Sequence, residues 1–373
     1  VQPFRLLAGF VVTALVATAQ FAAPIRSPEV HPDNRVTFRF KAPNANAVAV
    51  SLEGSPRLPM QKGEDGVWTL TTQPLKPDMY GYSFVADGVG LLDPGNPSMK
   101  PNLLNTTSMV HVPSAEGLPW EQQDVPRGAL HRHFYRSAAA GGHSRDFYVY
   151  TPPGYRADRA DAYPVLYLLH GYSDDARGWS QVGQAHVILD NLIAQGKARP
   201  MVVVMPLGYG TMEVIENVAG AFRDPQLFQR NFNGFRTALL DEVMPQVEAA
   251  YRVRTDAAGR ALAGLSMGGA ETLYTALNYP QRFRYVGSFS FGGLPPDFAP
   301  MFPKVNADIN QHFDVLWLVC GVDDRLIGIN RQFAGWLKEQ QVKHEFVETE
   351  GAHTWLVWRR NLATFVPMLF PAR

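Results

Sequence analysis

The chain has 373 residues, enough for about two domains and a sizeable core at the usual ~100 to 200 residues per domain. Its 34 Lys and Arg balance 34 Asp and Glu, and only 18% of residues are charged, so bulk electrostatics favours neither nucleic acid nor an anionic membrane as partner and leaves room for small uncharged or sugar-like ones. A single cysteine excludes a disulfide framework and leaves stability to packing.

In Val1-Gln-Pro-Phe-Arg5 one positive charge precedes the apolar run Leu6–Val16, and Ala17-Thr18-Ala19 fits an A-x-A cleavage pattern. The run is shorter than the ~18 to 20 residues a spanning helix needs. Residues 1–19 therefore read as a secretory signal peptide, which implies a secreted or periplasmic protein with no membrane anchor after cleavage.

Over 27–113 the pattern has period two. Val36, Phe38 and Phe40, then Val48, Val50 and Leu52, then Tyr80, Tyr82 and Phe84 alternate with other residues, and turn clusters separate them at Pro43-Asn44, Gly63–Gly66, Lys76–Asp78 and Asp87-Gly88. Short strands with frequent turns predict a small all-β, immunoglobulin-like sandwich. Pro113, Pro119 and Pro126 mark an ordered linker over 114–128.

From 129 to 373 apolar runs alternate with helical stretches. Arg145–Thr151, Tyr163–Leu169, Met201–Met205, Tyr285–Phe289 and Val315–Val319 read as strands, mostly apolar on both faces, and Phe232–Tyr251 has helical spacing despite Pro245. A mainly parallel sheet between helices is the expected result, in an α/β-hydrolase fold. Cys320 ends an apolar run and reads as a buried, inert thiol.

Ala263-Gly264-Leu265-Ser266-Met267-Gly268-Gly269 matches the G-x-S-x-G elbow, in which a serine sits on a strained turn between strand and helix. Here the strand is Arg260–Gly264 and the helix Gly269–Leu277. Side chains beside Ser266 would collide with neighbouring backbone, which calls for Gly264 and Gly268. No G-K-[ST] pattern supports a phosphate cradle.

In this fold an acid and then a histidine follow the serine. Asp323 and Asp324 stand at the carboxyl end of the Val315 run, whereas Asp314 stands at the wrong end; spacing leaves the first two open. His344 falls inside the expected strand Lys343–Val347, and His353 lies in the loop beyond it, from which an imidazole reaches the serine. His353 is therefore the expected general base. The His170-Gly171-Tyr172 turn would aim the N–H of Tyr172, together with that of Met267, at an oxyanion, each donor being worth ~10²- to 10³-fold in rate. His170 itself reads as a structural turn residue. His131 and His133 form an H-x-H pair without a third ligand at recognisable spacing, so no metal is assigned.

Two resemblances add to this reading. Phe38-Arg-Phe-Lys-Ala-Pro43, Gly66-Val-Trp68, Tyr80-Gly-Tyr-Ser-Phe84 and Asp93-Pro-Gly-Asn-Pro97 resemble the early-set N-terminal module of some secreted esterases, a type related to carbohydrate-binding modules. Trp68 either stacks on a sugar or fills the sandwich core, and no ligand is assigned to it. Tyr150-Thr-Pro-Pro-Gly-Tyr155, His170-Gly-Tyr-Ser-Asp-Asp-Ala-Arg-Gly-Trp179, Gly264–Gly269, Cys320-Gly-Val-Asp-Asp-Arg-Leu-Ile327 and Gly351-Ala-His-Thr-Trp355 resemble the feruloyl esterase branch of the esterase D-like hydrolases.

That resemblance aligns the acid of a G-x-x-D-x-L-I pattern with Asp324 and makes Asp323 a turn-forming neighbour. It implies Ser266 as nucleophile, His353 as base and then acid, Asp324 as the orienting carboxylate, an acyl-enzyme intermediate and no cofactor. The implied substrate is a feruloyl or other hydroxycinnamoyl ester of plant cell-wall polysaccharide. Acetyl-xylan esterase and catechol siderophore (enterobactin-type) esterase are the enzymatic alternatives; a carbohydrate-binding protein with an idle triad is the non-enzymatic one. Trp179, Tyr209, Phe291 and Trp355, with Tyr172, fall on expected loops near the strand ends and are the residues expected to line an aromatic acyl pocket. Oligomeric state is not legible.

Overall fold

Period-two alternation turns Val36 and Phe38, Val48, Val50 and Leu52, and Tyr80, Tyr82 and Phe84 inward, and all of them are buried. The computed structural model describes residues 25–221 and 223–371, so the predicted signal peptide lies outside the described residues. In the N-terminal part, strands Val36–Lys41 and Val67–Thr71 form the centre of one antiparallel sheet, and Val48–Leu52, Asp78–Ala86 and Thr107–Val112 the centre of a second. The inward residues of both make one core, with Phe38 and Tyr82 ring centroids 4.7 Å apart. Trp68 belongs to that core: it is buried and its Nε1–H donates to the Ala42 carbonyl at 2.9 Å.

Eight further strands form a single sheet among the described residues: β1 (Ala129–Ser137), β2 (His143–Thr151), β3 (Val165–Leu169), β4 (Val202–Pro206), β5 (Arg260–Leu265), β6 (Tyr285–Phe289), β7 (Val315–Gly321) and β8 (Glu345–Thr349). Their order is β1-β2-β4-β3-β5-β6-β7-β8. β1 and β2 run antiparallel to their neighbours, and every pairing from β4 to β8 is parallel. Strands β3 to β6 are buried along their whole length, as expected of strands covered on both faces. This is an α/β-hydrolase sheet, preceded by an all-β sandwich.

Three helices surround the residues singled out from the sequence: α1 (Pro225–Thr237), α2 (Met267–Asn278) and α3 (Trp355–Phe365). After α1 the helical path widens to a π-helix over Ala238–Val243 before continuing through Met244–Ala250. The wide turn stands directly ahead of Pro245, whose ring would meet the carbonyl of a regular preceding turn. One expectation is corrected: β8 begins at Glu345, so His344 precedes the strand, and its Nδ1 lies 2.9 Å from the Val342 carbonyl.

Candidate active site

Ser266 is held at φ 52°, ψ −117°, a region that L-residues avoid at a cost of ~1–3 kcal/mol. Its surroundings over-determine that conformation. The Ser266 N–H donates to the Phe289 carbonyl at the end of β6, and its carbonyl accepts from Ala270 and Gly292. A Cβ on Gly264 would lie 2.4 Å from the Gly268 carbonyl oxygen, and one on Gly268 would lie 2.3 Å from that of His170. These two glycines are therefore required by close approach of backbone, since neither has a positive φ.

His353 lies between β8 and α3, and the structure brings it to the serine. The Ser266 hydroxyl is 2.9 Å from His353 Nε2, and His353 Nδ1 is 2.7 Å from Asp324 Oδ2. The arrangement suits a serine O–H donating to Nε2 and an Nδ1–H donating to the carboxylate. The Trp358 ring meets the imidazole edge to face at 4.8 Å and limits its rotation. Asp324 is buried just past β7, and its other oxygen accepts from the Leu326 N–H at 2.8 Å. Burial works to raise its carboxyl, but the bond and charge of His353 and the Leu326 N–H hold it below the usual carboxylate range. Asp323 is exposed, and its backbone N–H donates to the Gly351 carbonyl.

Beside Ser266 stands the turn after β3, where a Cβ on Gly171 would lie 3.2 Å from that of Ser266. His170 is buried there. Its Nε2 accepts the Gly208 N–H at 2.8 Å, which leaves Nδ1–H to donate to the Gly171 carbonyl, also at 2.8 Å. Both ring nitrogens are thus spent on fixing two loops, and burial favours the neutral ring. Tyr172 and Met267 line the same cavity as Ser266, and Met267 opens α2, where helix N–H groups have no partner within the helix.

The cavity beside Ser266 has a volume of about 510 Å³. Its wall comes from α1 (Gln226, Phe228, Gln229, Phe232), from the loop after β6 (Gly292–Pro296, with Met301) and from Arg325 and Leu326. It is mostly apolar, with Arg325 the cationic member of the wall.

None of the four aromatics expected to bind substrate is among its lining residues. Trp179, Tyr209, Phe291 and Trp355 are all buried: Trp179 Nε1–H donates to the Leu169 carbonyl, the Tyr209 hydroxyl to the Asp174 carbonyl, Trp179 and Trp355 meet edge to face, and Phe291 packs on Phe333. They support the loops from within, and that expectation is corrected. Tyr172, half-buried, does face the cavity, with its hydroxyl donating to the Val214 carbonyl at 2.7 Å. Sequence reasoning missed Phe228 and Phe232; their i, i+4 spacing in α1 was the available signal.

The remaining singled-out residues lie elsewhere. His131 and His133 are on β1; His133 stacks on Phe147 and lies 2.6 Å from the Tyr251 hydroxyl. Cys320 is buried in β7, and burial pushes its thiol up to about 12.

Comparison with known proteins agrees with this architecture. A family described as "Putative esterase" matches residues 137–369. The chain is 31% identical over 351 residues to an endo-1,4-beta-xylanase/feruloyl esterase of Xylanibacter ruminicola, covering 92% of this chain but 46% of that protein, so it spans less than half of its length. Among solved structures, a ferulic acid esterase of Anaeromyces mucronatus in complex with ferulic acid is 23% identical with a TM-score of 0.57, covering 67% of this chain and 93% of that one. The enterobactin esterase of Shigella flexneri is 21% identical with a TM-score of 0.66, covering 89% and 92%.

Proposed function

The chain belongs to the esterase family, and from that premise we propose that it is a serine carboxylesterase acting on hydroxycinnamoyl, above all feruloyl, esters of plant cell-wall polysaccharide. One observation carries the reading: the hydrogen-bonded chain Ser266–His353–Asp324 opens onto an aromatic, mostly apolar cavity large enough for a phenylpropenoyl group.

Each residue then has a role. His353 takes the Ser266 proton as the hydroxyl attacks the ester carbonyl, and Asp324 keeps Nδ1–H oriented and stabilises the imidazolium that forms. The oxyanion develops toward the backbone N–H groups of Tyr172 and Met267. His353 next gives its proton to the departing alcohol, leaving an acyl-enzyme on Ser266. Water, deprotonated by the same imidazole, then releases the acid. The ring of the acyl group lies against Tyr172, Phe228 and Phe232, and the alcohol part faces the open mouth. Export by the leader at 1–19 would bring the enzyme to a polymeric substrate.

A second reading, hydrolysis of an enterobactin-type siderophore ester, is favoured by one observation: the fold likeness to the enterobactin esterase extends over 89% of this chain, sandwich included. Methyl ferulate, acetyl-xylan and enterobactin assayed side by side, with native protein and Ser266→Ala, separate the readings. Methyl ferulate is the expected preferred substrate, and the variant is expected to lose ~10⁶-fold in turnover. Hydrolysis unchanged in Ser266→Ala overturns the serine mechanism, and a preference for enterobactin overturns the feruloyl assignment.

A further inference from the structure

The two sides of the proposed site are held in different ways. The Ser266 elbow and Asp324 take their hydrogen bonds from the ends of β5 to β7 and the segments that follow them. The turn after β3 and the helix after His353 take further hydrogen bonds from the N-terminal sandwich, beside those from the hydrolase sheet and loops.

Asn102 reaches the first of these. Its Oδ1 accepts from the Leu104 and Asn105 N–H groups at 3.0 and 2.9 Å, which fixes the side chain within its own loop. Its Nδ2 is thereby aimed across the boundary, where it donates to Ser173 Oγ at 2.9 Å and Asp174 Oδ1 at 3.2 Å. The neighbouring Leu103 N–H donates to the Ser173 carbonyl at 2.7 Å. Ser173, next to Tyr172, has φ +70°, a conformation that needs support in a residue other than glycine.

Glu53 reaches the second. Helix α3 starts two residues after His353, and its N-cap Thr354 makes no side-chain cap bond. The Trp355 N–H is taken instead by Glu53 Oε1 at 3.0 Å, while Glu53 Oε2 accepts from Gly81 at 2.9 Å and Lys100 Nζ lies 3.3 Å from Oε1. A carboxylate there satisfies an orphan donor and suits the positive end of the helix dipole. One turn on, the fully buried Arg359 donates through Nε and Nη2 to Asp78 Oδ1 at 3.1 and 2.9 Å. The helix that follows the base is thus capped and anchored by the sandwich.

We infer that the sandwich is a built-in part of the hydrolytic site, with Asn102 positioning the oxyanion turn and Glu53 positioning the helix that presents His353. The inference rests on the ester-hydrolase reading. It sets this part of the chain apart from an appended module that merely brings a polymer near.

The test uses the full chain with Asn102→Ala, Asn102→Asp and Glu53→Gln, measuring kcat and KM for soluble methyl ferulate, the rate at which a fluorophosphonate labels Ser266, and the melting temperature. Asn102→Ala removes the donor across the boundary without adding a charge, and Asn102→Asp keeps the acceptor inside its own loop but replaces the donor with a carboxylate facing Asp174; Glu53→Gln keeps an acceptor for the Trp355 N–H, gives up the one for the Gly81 N–H and removes the charge. Small displacements of catalytic groups cost up to ~10²-fold, so kcat is expected to fall about 10-fold or more in both Asn102 variants and about 3-fold in Glu53→Gln. KM is expected to stay within about 2-fold, and labelling to slow by the same factor as kcat. Unchanged kcat and labelling, or losses that follow only the unfolded fraction, overturn the inference. A wild-type chain that takes no phosphonate overturns the ester-hydrolase reading itself, and the inference with it.

Discussion

Around Ser266 the aromatic side chains form two populations. Trp179, Tyr209, Phe291 and Trp355 are buried away from the cavity, Trp179 and Trp355 in one core and Tyr209 and Phe291 in the other, whereas Tyr172, Phe228 and Phe232 line it. What separates them is the cavity itself: Trp179 and Tyr209 donate to the backbone carbonyls of Leu169 and Asp174, Trp179 and Trp355 have ring centroids 5.1 Å apart and none of the four reaches the cavity, whereas Tyr172, whose hydroxyl also donates to a carbonyl, that of Val214, does. Aromatic side chains near the sheet's edge thus serve first as a foundation for the candidate catalytic groups, and the wall of the proposed acyl pocket comes from elements placed over them.

The largest expected effect lies in the foundation. Trp179→Ala removes a fully buried ring and leaves the Leu169 carbonyl without its indole donor, at a cost of about 3 to 5 kcal/mol in a urea-unfolding measurement. A variant of near-native stability with a raised KM for methyl ferulate would break the comparison, because it would put Trp179 in the wall.

A smaller effect tests the polar part of the foundation. Asp174 is buried in the turn after β3, and burial pushes its carboxyl up to about 7 against the pull of Lys100 and Asn102. In the unfolded chain an aspartate titrates near 3.9. Between about pH 4 and 7 the folded state therefore binds more protons, so this group's contribution is most favourable below about 4, falls as pH rises, and is fully lost above about 7. Asp174→Asn does not ionise and keeps an acceptor for Asn102. Its stability relative to wild type is expected to rise between pH 5 and 8, by on the order of 1 to 3 kcal/mol, in melting curves at both pH values. An offset that does not change with pH would show that Asp174 does not titrate in this range.

Much of this was legible in the sequence, for identifiable reasons. Fully buried strands and a turn that tolerates only glycine leave local signatures, so β3, β5 and β6 and the Gly264–Gly268 elbow stand out. The order serine, acid, histidine and the strand ends narrow the partners to two adjacent aspartates and to His344 or His353, and the position of His353 beyond the last strand favours it, although His344 precedes that strand and does not lie inside it. Spacing did not separate Asp323 from Asp324, because neighbours in a turn point to different sides and only the fold shows which one meets the imidazole. The cavity wall was illegible for a different reason. Phe228 and Phe232 carry the i, i+4 signal of any core-facing helix, and whether that face meets packed side chains or an open cavity depends on how α1 lies over the elbow, a long-range property. The support from the sandwich was hidden likewise: nothing local to Asn102 or Glu53 announces a partner some seventy or three hundred residues away.

The smallest expected effect concerns the wall, and it sharpens the comparison most. Phe228 is half-buried on α1, with its ring centroid 6.2 Å from that of Tyr172 and 6.0 Å from that of Phe232. In the proposed function, a hydroxycinnamoyl ring held there would gain apolar contact that an acetyl group is too small to make. Phe228→Ala is therefore expected to lose about 1 to 2 kcal/mol of transition-state binding for methyl ferulate, roughly 10-fold in kcat/KM, and far less for an acetyl ester. Because Phe228 is only half-buried, the melting temperature of Phe228→Ala is expected to shift much less than that of Trp179→Ala. Phe232, buried as well as lining the cavity, should respond differently, with Phe232→Ala losing both stability and ferulate selectivity. If Phe228→Ala slows both esters equally, the ring supports the fold and not the acyl group, and the division into two populations fails at its outer member.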